Sequence, residues 1–177
     1  MIDSSLLPAP AAQKPWLLGL TGFPLAHSLS PRLHGAALRN SELLGEYILF
    51  PIPPSEFPEQ IDILLGKMRA GQLDGLNVTI PYKTAVIPYL DELSEAAAQI
   101  GAVNTIYSHS GKLVGENTDA QGFLLDLQRL GIIDDRSRHP KNALILGSGG
   151  SARAVCYALL SAGWHLHFAV RHPAQAC

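Results

Sequence analysis

The chain has 177 residues, 47% hydrophobic and 16% charged, with a formal net charge of −2. That composition supports one domain with a real core, or one domain and part of another. It carries no basic block or stripe, so nucleic-acid binding has no electrostatic footprint. The two cysteines, Cys156 and Cys177, form no disulfide framework and match no zinc spacing. No metal is expected, and the reducing cytoplasm is the expected compartment.

Residues 1–15 are rich in Ala, Pro and Ser and lack the apolar run of a signal peptide, so they read as a disordered tail. Strands and helices then alternate. Residues 16–21 form a short apolar strand. Ser30-Pro31 is a strong helix start, and the helix runs to about Glu42 with Leu33, Ala36, Ala37 and Leu44 on its apolar face. Residues 47–51 are a second strand. Ser55 caps a helix with Phe57, Ile61, Leu64, Leu65 and Met68 inward, and Gly71 ends it. A third strand, residues 74–80, runs into Pro81, which suits the first position of a helix. Lys83 then falls in the first turn, where the helix dipole disfavours a cation. Such a place suits a group that exchanges a proton near neutral pH.

A helix over residues 91–100 follows, then a hairpin of residues 103–108 and 112–115 across a Ser-Gly turn. Thr118 starts a helix with apolar Phe123, Leu124, Leu127 and Leu130. The polar stretch 131–142 marks a domain boundary. Residues 143–146 form a strand that enters Gly147-Ser148-Gly149-Gly150-Ser151-Ala152 and opens a helix. The apolar stretch 154–170 is broken by Gly163, His165 and His167, too interrupted for a membrane span. Strand, glycine loop, helix and second strand fit a βαβ unit. Its loop admits two readings, a plain strand–helix turn or a pyrophosphate cradle at a helix N-terminus. The acidic residue that would hold an NAD ribose is missing at the end of the second strand. Arg171 stands there and suits the 2′-phosphate of NADP.

Four motifs in order, together with the glycine loop, carry a resemblance. They are Gly22-Phe23-Pro24-Leu25-Ala26-His27-Ser28-Leu29-Ser30-Pro31-Arg32-Leu33-His34, then Asn77-Val78-Thr79-Ile80-Pro81-Tyr82-Lys83, then Gly101-Ala102-Val103-Asn104-Thr105, then Gly115-Glu116-Asn117-Thr118-Asp119. From about Trp16 to Arg171 the chain resembles shikimate dehydrogenase, the NADP-linked reductase of 3-dehydroshikimate in aromatic amino-acid biosynthesis. The resemblance implies that Ser28 and Ser30 bind the substrate carboxylate. It implies that Asn77, Thr79 and Asn104 contact the rest of the substrate. Lys83 and Asp119 would be the catalytic pair, also touching substrate. Gly147, Gly149, Gly150, Ser151 and Ala152 would cradle the NADP pyrophosphate, and Arg171 would take its 2′-phosphate.

Three departures from the family pattern stand out. Gly35 replaces an Asn that usually follows the His. Val170 replaces an Asn that usually precedes the Arg. The chain stops at Cys177, before the Tyr and Gln that complete the family's sites, and so reads as C-terminally truncated.

Read from the residues alone, Ser30 is either a helix cap or a ligand, whereas Ser28 has no capping role and is the better ligand. His27 and His34 read as structural. Asn77 and Thr79 serve either the turn before Pro81 or a ligand at a strand end. Asp119 is either a favourable first-turn acid or the partner of Lys83.

The expected fold class is α/β: an N-terminal substrate-binding domain followed by the first βαβ of a Rossmann-type domain. The expected divisions are a tail at 1–15, a substrate-binding and catalytic domain at 16–120, a connecting helix and linker at 121–141, and a partial NADP-binding domain at 142–177. The expected partners are shikimate or 3-dehydroshikimate and NADP, with no nucleic acid and no membrane, in a monomer or homodimer. Two alternatives stand beside this reading: a substrate-binding fragment without turnover, and an NAD-preferring quinate/shikimate dehydrogenase.

Overall fold

The computed structural model describes residues 14–133 and 141–171. Most of the tail, the segment 134–140, His172 and Cys177 therefore lie outside the described residues. The mixed α/β order is β1 (Trp16–Gly22), α1 (Ser30–Asn40), β2 (Gly45–Pro51), α2 (Phe57–Arg69), β3 (Gly75–Val78), β4 (Glu92–Leu93), α3 (Glu95–Ile100), β5 (Thr105–His109), β6 (Lys112–Glu116), α4 (Asp119–Arg129), β7 (Asn142–Leu146), α5 (Gly150–Ser161) and β8 (His165–Ala169). Six strands make one sheet in the order β2-β1-β3-β5-β6-β4, and β7 pairs with β8 in a second. In the first sheet β1 runs parallel to β2 and β3, while β5 is antiparallel to both β3 and β6. β7 and β8 are parallel and joined through α5, as a βαβ unit requires.

The first sheet is covered by the inward stripe of α2. Phe57, Ile61, Leu64, Leu65 and Met68 are all buried, as their spacing predicts, and they join Leu76, Val78, Val103, Ile106 and Leu113 in one core. The second cluster is built from small residues: Ala102, Ala120, Ala154 and Ala158 with Ile100. Through it α5 packs on α3 and α4. Small side chains allow this close approach.

Several expectations are corrected. No helix starts at Pro81. The chain turns through residues 80–86 and ends in a 3₁₀ turn, Ile87–Tyr89. Pro88 inside that turn has no N–H to extend a helix. The helix expected over residues 91–100 divides into the short strand β4 and α3, and Ser94 is the true cap, its Oγ accepting from Ala97 N at 3.0 Å. α1 ends at Asn40 and buries Leu38, whereas Leu33 and Leu44 are 68% and 70% exposed. Ser30 is inside the helix and Leu29 occupies the cap position. Glu56, the last residue of a 3₁₀ turn, replaces Ser55 at the start of α2. Among the described residues no helix is long and apolar enough to cross a membrane.

Candidate active site

The strand ends β3 and β5 and the start of α4 meet beside the turn that carries Lys83. Lys83 is fixed at its backbone, because its carbonyl accepts from Val103 N at 2.7 Å. Its Nζ donates to Asp119 Oδ2 at 2.5 Å, with the two side chains 14% and 32% exposed. Lys83 thus reaches its partner from a loop of turns, and the helix-dipole argument does not apply to it.

Asp119 is placed by Asn117, which is buried. Asn117 Nδ2 donates to Ala102 O at 2.9 Å, and its Oδ1 accepts from Asp119 N at 3.1 Å and Ala120 N at 3.4 Å. Asn117 therefore supplies the side-chain cap of α4, a role expected of a residue just before a helix. The second Asp119 oxygen, Oδ1, accepts from Asn104 Nδ2 at 2.8 Å. Asn104 Oδ1 in turn accepts from Thr118 N at 3.0 Å. A carboxylate only accepts and a backbone N–H only donates, so the two contacts agree on the orientation of the Asn104 amide.

Asn77 joins the same network. Its Nδ2 donates to Asn104 O at 3.2 Å and to Thr105 Oγ1 at 3.1 Å, and its Oδ1 accepts from Tyr47 OH at 2.7 Å. Tyr47 on β2 stacks on His34, with ring centroids 4.2 Å apart and an interplanar angle of 6°. Burial pushes the Tyr47 phenol up to about 12, partly offset by Ser30, whose hydroxyl faces it. Burial also lowers the His34 imidazole below its ordinary value. Ser28 Oγ accepts from Ser30 N at 3.3 Å, so Ser28 does have a structural partner.

Across from Lys83 lies the glycine loop, and between them is a cleft of about 630 Å³. Thr79, Pro81 and Lys83 line one side; Gly147, Gly149, Gly150, Ser151, Ala152 and Arg153 line the other. Gly147 holds φ +102, a conformation that favours glycine, and a Cβ at Gly147 or Gly149 would point into open space. A Cβ on Gly150 would sit 2.9 Å from Lys83 Cβ, so only glycine lets the loop approach that closely. No side chain caps α5, which leaves its first N–H groups for an anion in the cleft. Lys83 Nζ also donates to Ser151 Oγ at 3.2 Å and bridges the two sides. Arg171 is exposed just past the end of β8.

Of the residues expected at the site, Lys83, Asp119, Asn104 and Asn77 form one bonded network. Thr79 lines the cleft beside Lys83, while Ser30 faces Tyr47 and Ser28 is bonded to Ser30. The structure adds Tyr47, Thr105, Thr118 and Asn117 to this network. Thr105, Thr118 and Asn117 belong to the motifs around Asn104 and Asp119; Tyr47 carries no local signal, being 30 residues from its partner Asn77. Among the described residues no His, Cys, Asp and Glu gather as a metal site would require.

In this mixed α/β scaffold a lysine–carboxylate pair stands across a cleft from a glycine loop. Residues 20–106 match the family model described as the shikimate dehydrogenase substrate binding domain. The chain is 45% identical over 155 residues to the NADP(+) shikimate dehydrogenase of Carboxydothermus hydrogenoformans, covering 88% of this chain and 52% of that protein. Shikimate dehydrogenase from Aquifex aeolicus superposes with a TM-score of 0.80 at 36% identity, covering 99% of this chain and 60% of that one. The Thermus thermophilus enzyme, in complex with NADP(H) and shikimate, superposes at 0.76 with 38% identity, covering 91% and 58%. These relatives are shikimate dehydrogenases. The chain spans about half the length of the curated relatives it matches.

Proposed function

We propose that the chain carries the substrate site and catalytic pair of an NADP-dependent shikimate dehydrogenase, which reversibly reduces 3-dehydroshikimate to shikimate. The observation that carries this reading is the Lys83–Asp119 pair, oriented by Asn104 and set across one cleft from a glycine loop. The names of the relatives and the shikimate and NADP(H) bound to the T. thermophilus enzyme support it.

In this reading the first sheet and its helices are a substrate domain over residues 16–120, α4 is the connecting helix, and β7–α5–β8 opens an NADP-binding domain. Ser28 and Ser30 bind the carboxylate of the substrate, and Thr79 binds its hydroxyls, with Asn104 beside them and its amide donors held by Thr118 Oγ1 and Asp119 Oδ1. Asn77 is also in this shell, but its amide donors are already taken by Asn104 and Thr105. Asn77 therefore supports its neighbours more than it donates to a ligand.

Gly147, Gly149, Gly150, Ser151 and Ala152 with the uncapped α5 fit a pyrophosphate, and Arg171 fits the 2′-phosphate that separates NADP from NAD. The bound cofactor supplies the hydride. Lys83 Nζ gives a proton to the ketone oxygen in reduction and takes it back in oxidation, while Asp119 holds the ammonium in place.

Titration of the chain with shikimate, read by amide NMR shifts, tests the first part. Shifts should centre on Ser28, Thr79, Lys83 and Asn104, and no saturable shift would defeat the assignment. Where a complete cofactor domain accompanies this chain, Lys83→Ala should lower turnover by about 10²- to 10⁴-fold, the usual worth of positioned proton transfer, with a much smaller loss of substrate binding. Arg171→Ala should weaken NADP⁺ binding far more than NAD⁺ binding. Equal losses would mean that Arg171 does not read the phosphate.

A further inference from the structure

The polar side chains from β2 to α4 form a single hydrogen-bond chain with one direction. Asn104 fixes the sense, because its Nδ2 must face the Asp119 carboxylate and its Oδ1 must face the Thr118 N–H. Thr105 Oγ1 lies 3.0 Å from Asn104 Oδ1, an acceptor, so the threonine spends its proton there. It can then only accept from Asn77, which places Asn77 Nδ2 on that side and Asn77 Oδ1 toward Tyr47. The Tyr47 hydroxyl must be the donor that starts the chain. The order Tyr47, Asn77, Thr105, Asn104, Asp119 therefore runs donor to acceptor at every step and ends on the carboxylate that holds Lys83. Bonds aligned in one direction polarise and reinforce one another. The tyrosine is held in turn by its stack on His34.

We propose that Tyr47 is a positioning residue of the active site: through Asn77 and Thr105 it fixes the orientation of Asn104 and, with it, Asp119. The proposal rests on the shikimate reading only for the ligand used in one arm of its test. The phenol, ordinarily neutral in the physiological range and raised further by burial, stays a donor at the head of the chain. Without it, Asn77 loses the partner that sets its amide, and a flipped Asn77 would present a carbonyl to the lone pairs of Thr105 and the Asn104 carbonyl.

The test is Tyr47→Phe in the 177-residue chain, which keeps the ring on His34 and removes only the hydroxyl. Tyr107→Phe, on an exposed face of β5, is the control. Side-chain amide NMR signals of Asn77 and Asn104 are recorded together with shikimate affinity and thermal midpoint.

The expected result is a shift of both amide pairs and a loss of shikimate affinity of about threefold to tenfold, the range one neutral hydrogen bond gives. The control should do neither. In a Thr105→Val background, Tyr47→Phe should move the Asn104 side-chain signals much less, because the route to Asn104 Oδ1 is cut and only the Asn77 bond to the Asn104 backbone carbonyl remains. A merely structural role would lower the midpoint without this dependence on Thr105. Unmoved Asn104 amide signals in a folded Tyr47→Phe chain would overturn the proposal. If wild-type chain fails to bind shikimate, the substrate reading falls, while the amide signals and their Thr105 dependence still decide the role of Tyr47.

Discussion

The two sheets of the described residues are held in different ways. The six-stranded sheet is closed by a continuous core in which Ile61, Val86, Val103 and Ile106 have no exposed surface. The β7–α5–β8 unit buries Ile145 and Leu159 and shares a cluster of small residues with α3 and α4, while Leu144, Leu146 and Phe168 are 63%, 75% and 50% exposed on its own strands. The first region is stabilised by burial within itself. Among the described residues, the second is stabilised by docking. The glycine loop therefore owes its place over Lys83 to the alanine seam, and loss of the seam would separate the cofactor cradle from the catalytic pair.

The largest expected effect tests the core of the first region. Ile106→Ala removes a fully buried side chain between the sheet and α2, and should cost about 2 to 5 kcal/mol in denaturant unfolding. Phe168→Ala, half exposed on β8, should stay within about 0.5 kcal/mol. Similar losses at both sites would show that the two regions are stabilised alike.

A smaller effect tests the docking. Gly150→Ala places a Cβ 2.9 Å from Lys83 Cβ and 3.2 Å from its Cδ, so either the loop or the lysine must move. Overpacking of this kind costs about 1 to 3 kcal/mol. The cost should fall on the docking alone. Amide exchange along α5 should quicken while that of β3 and β5 is unchanged. Uniform acceleration across both sheets would mean that they unfold as one unit.

The sequence shows the first region more plainly than the site. The apolar spacing of α2 specifies its buried face, and the glycine loop between two apolar runs specifies the βαβ unit. Local signals fail where tertiary contacts decide. Ile80-Pro81 is equally a turn and a helix start, and Tyr82 and Val86 are spaced like one helical face. The chain takes turns there because Tyr82 is held by its hydroxyl on the Ile52 carbonyl at 2.5 Å and the backbone of Lys83 by Val103. A two-residue strand such as β4 has no period to read. Tyr47 looks like any strand tyrosine, because its role comes from the register of β2 beside β1 and of β1 beside β3. Asn104 and Asp119 are legible as residues, but their partners are not, since the network closes only when three strands and α4 come together.

A pH effect sharpens the comparison within the first region. The Arg69 guanidinium, bonded to Asp91 at 2.6 and 3.0 Å, and the Leu113 N–H hold the Asp91 carboxyl below its ordinary value. A depressed carboxyl contributes stability that is complete above its unfolded value near 3.8 and is lost as pH falls through the folded value. The urea midpoint should therefore fall below about pH 4. Asp91→Asn should lose that part of the acid dependence. An unchanged acid profile in the variant would show that Asp91 does not link α2 to the sheet in solution.

The smallest effect lies at the opposite end of the pH scale and concerns Tyr47. Burial raises its phenol from 10.0 to about 12. The fold therefore favours the neutral form, and unfolding releases a phenol that ionises more readily. The contribution to stability is complete below about pH 10 and is lost as pH rises toward about 12, so it is invisible at neutral pH. Phenolate absorbance after rapid alkaline mixing separates this residue from more exposed ones. The buried Tyr82 is also raised, so the wild-type chain should show a late component to which both contribute. Tyr47→Phe should remove only part of it and flatten the fall in urea midpoint between about pH 10 and about pH 12. If the variant instead loses amplitude near pH 10, the ordinary phenol value, Tyr47 is solvated, and the hydroxyl is not locked on Asn77 as the chain of hydrogen bonds requires.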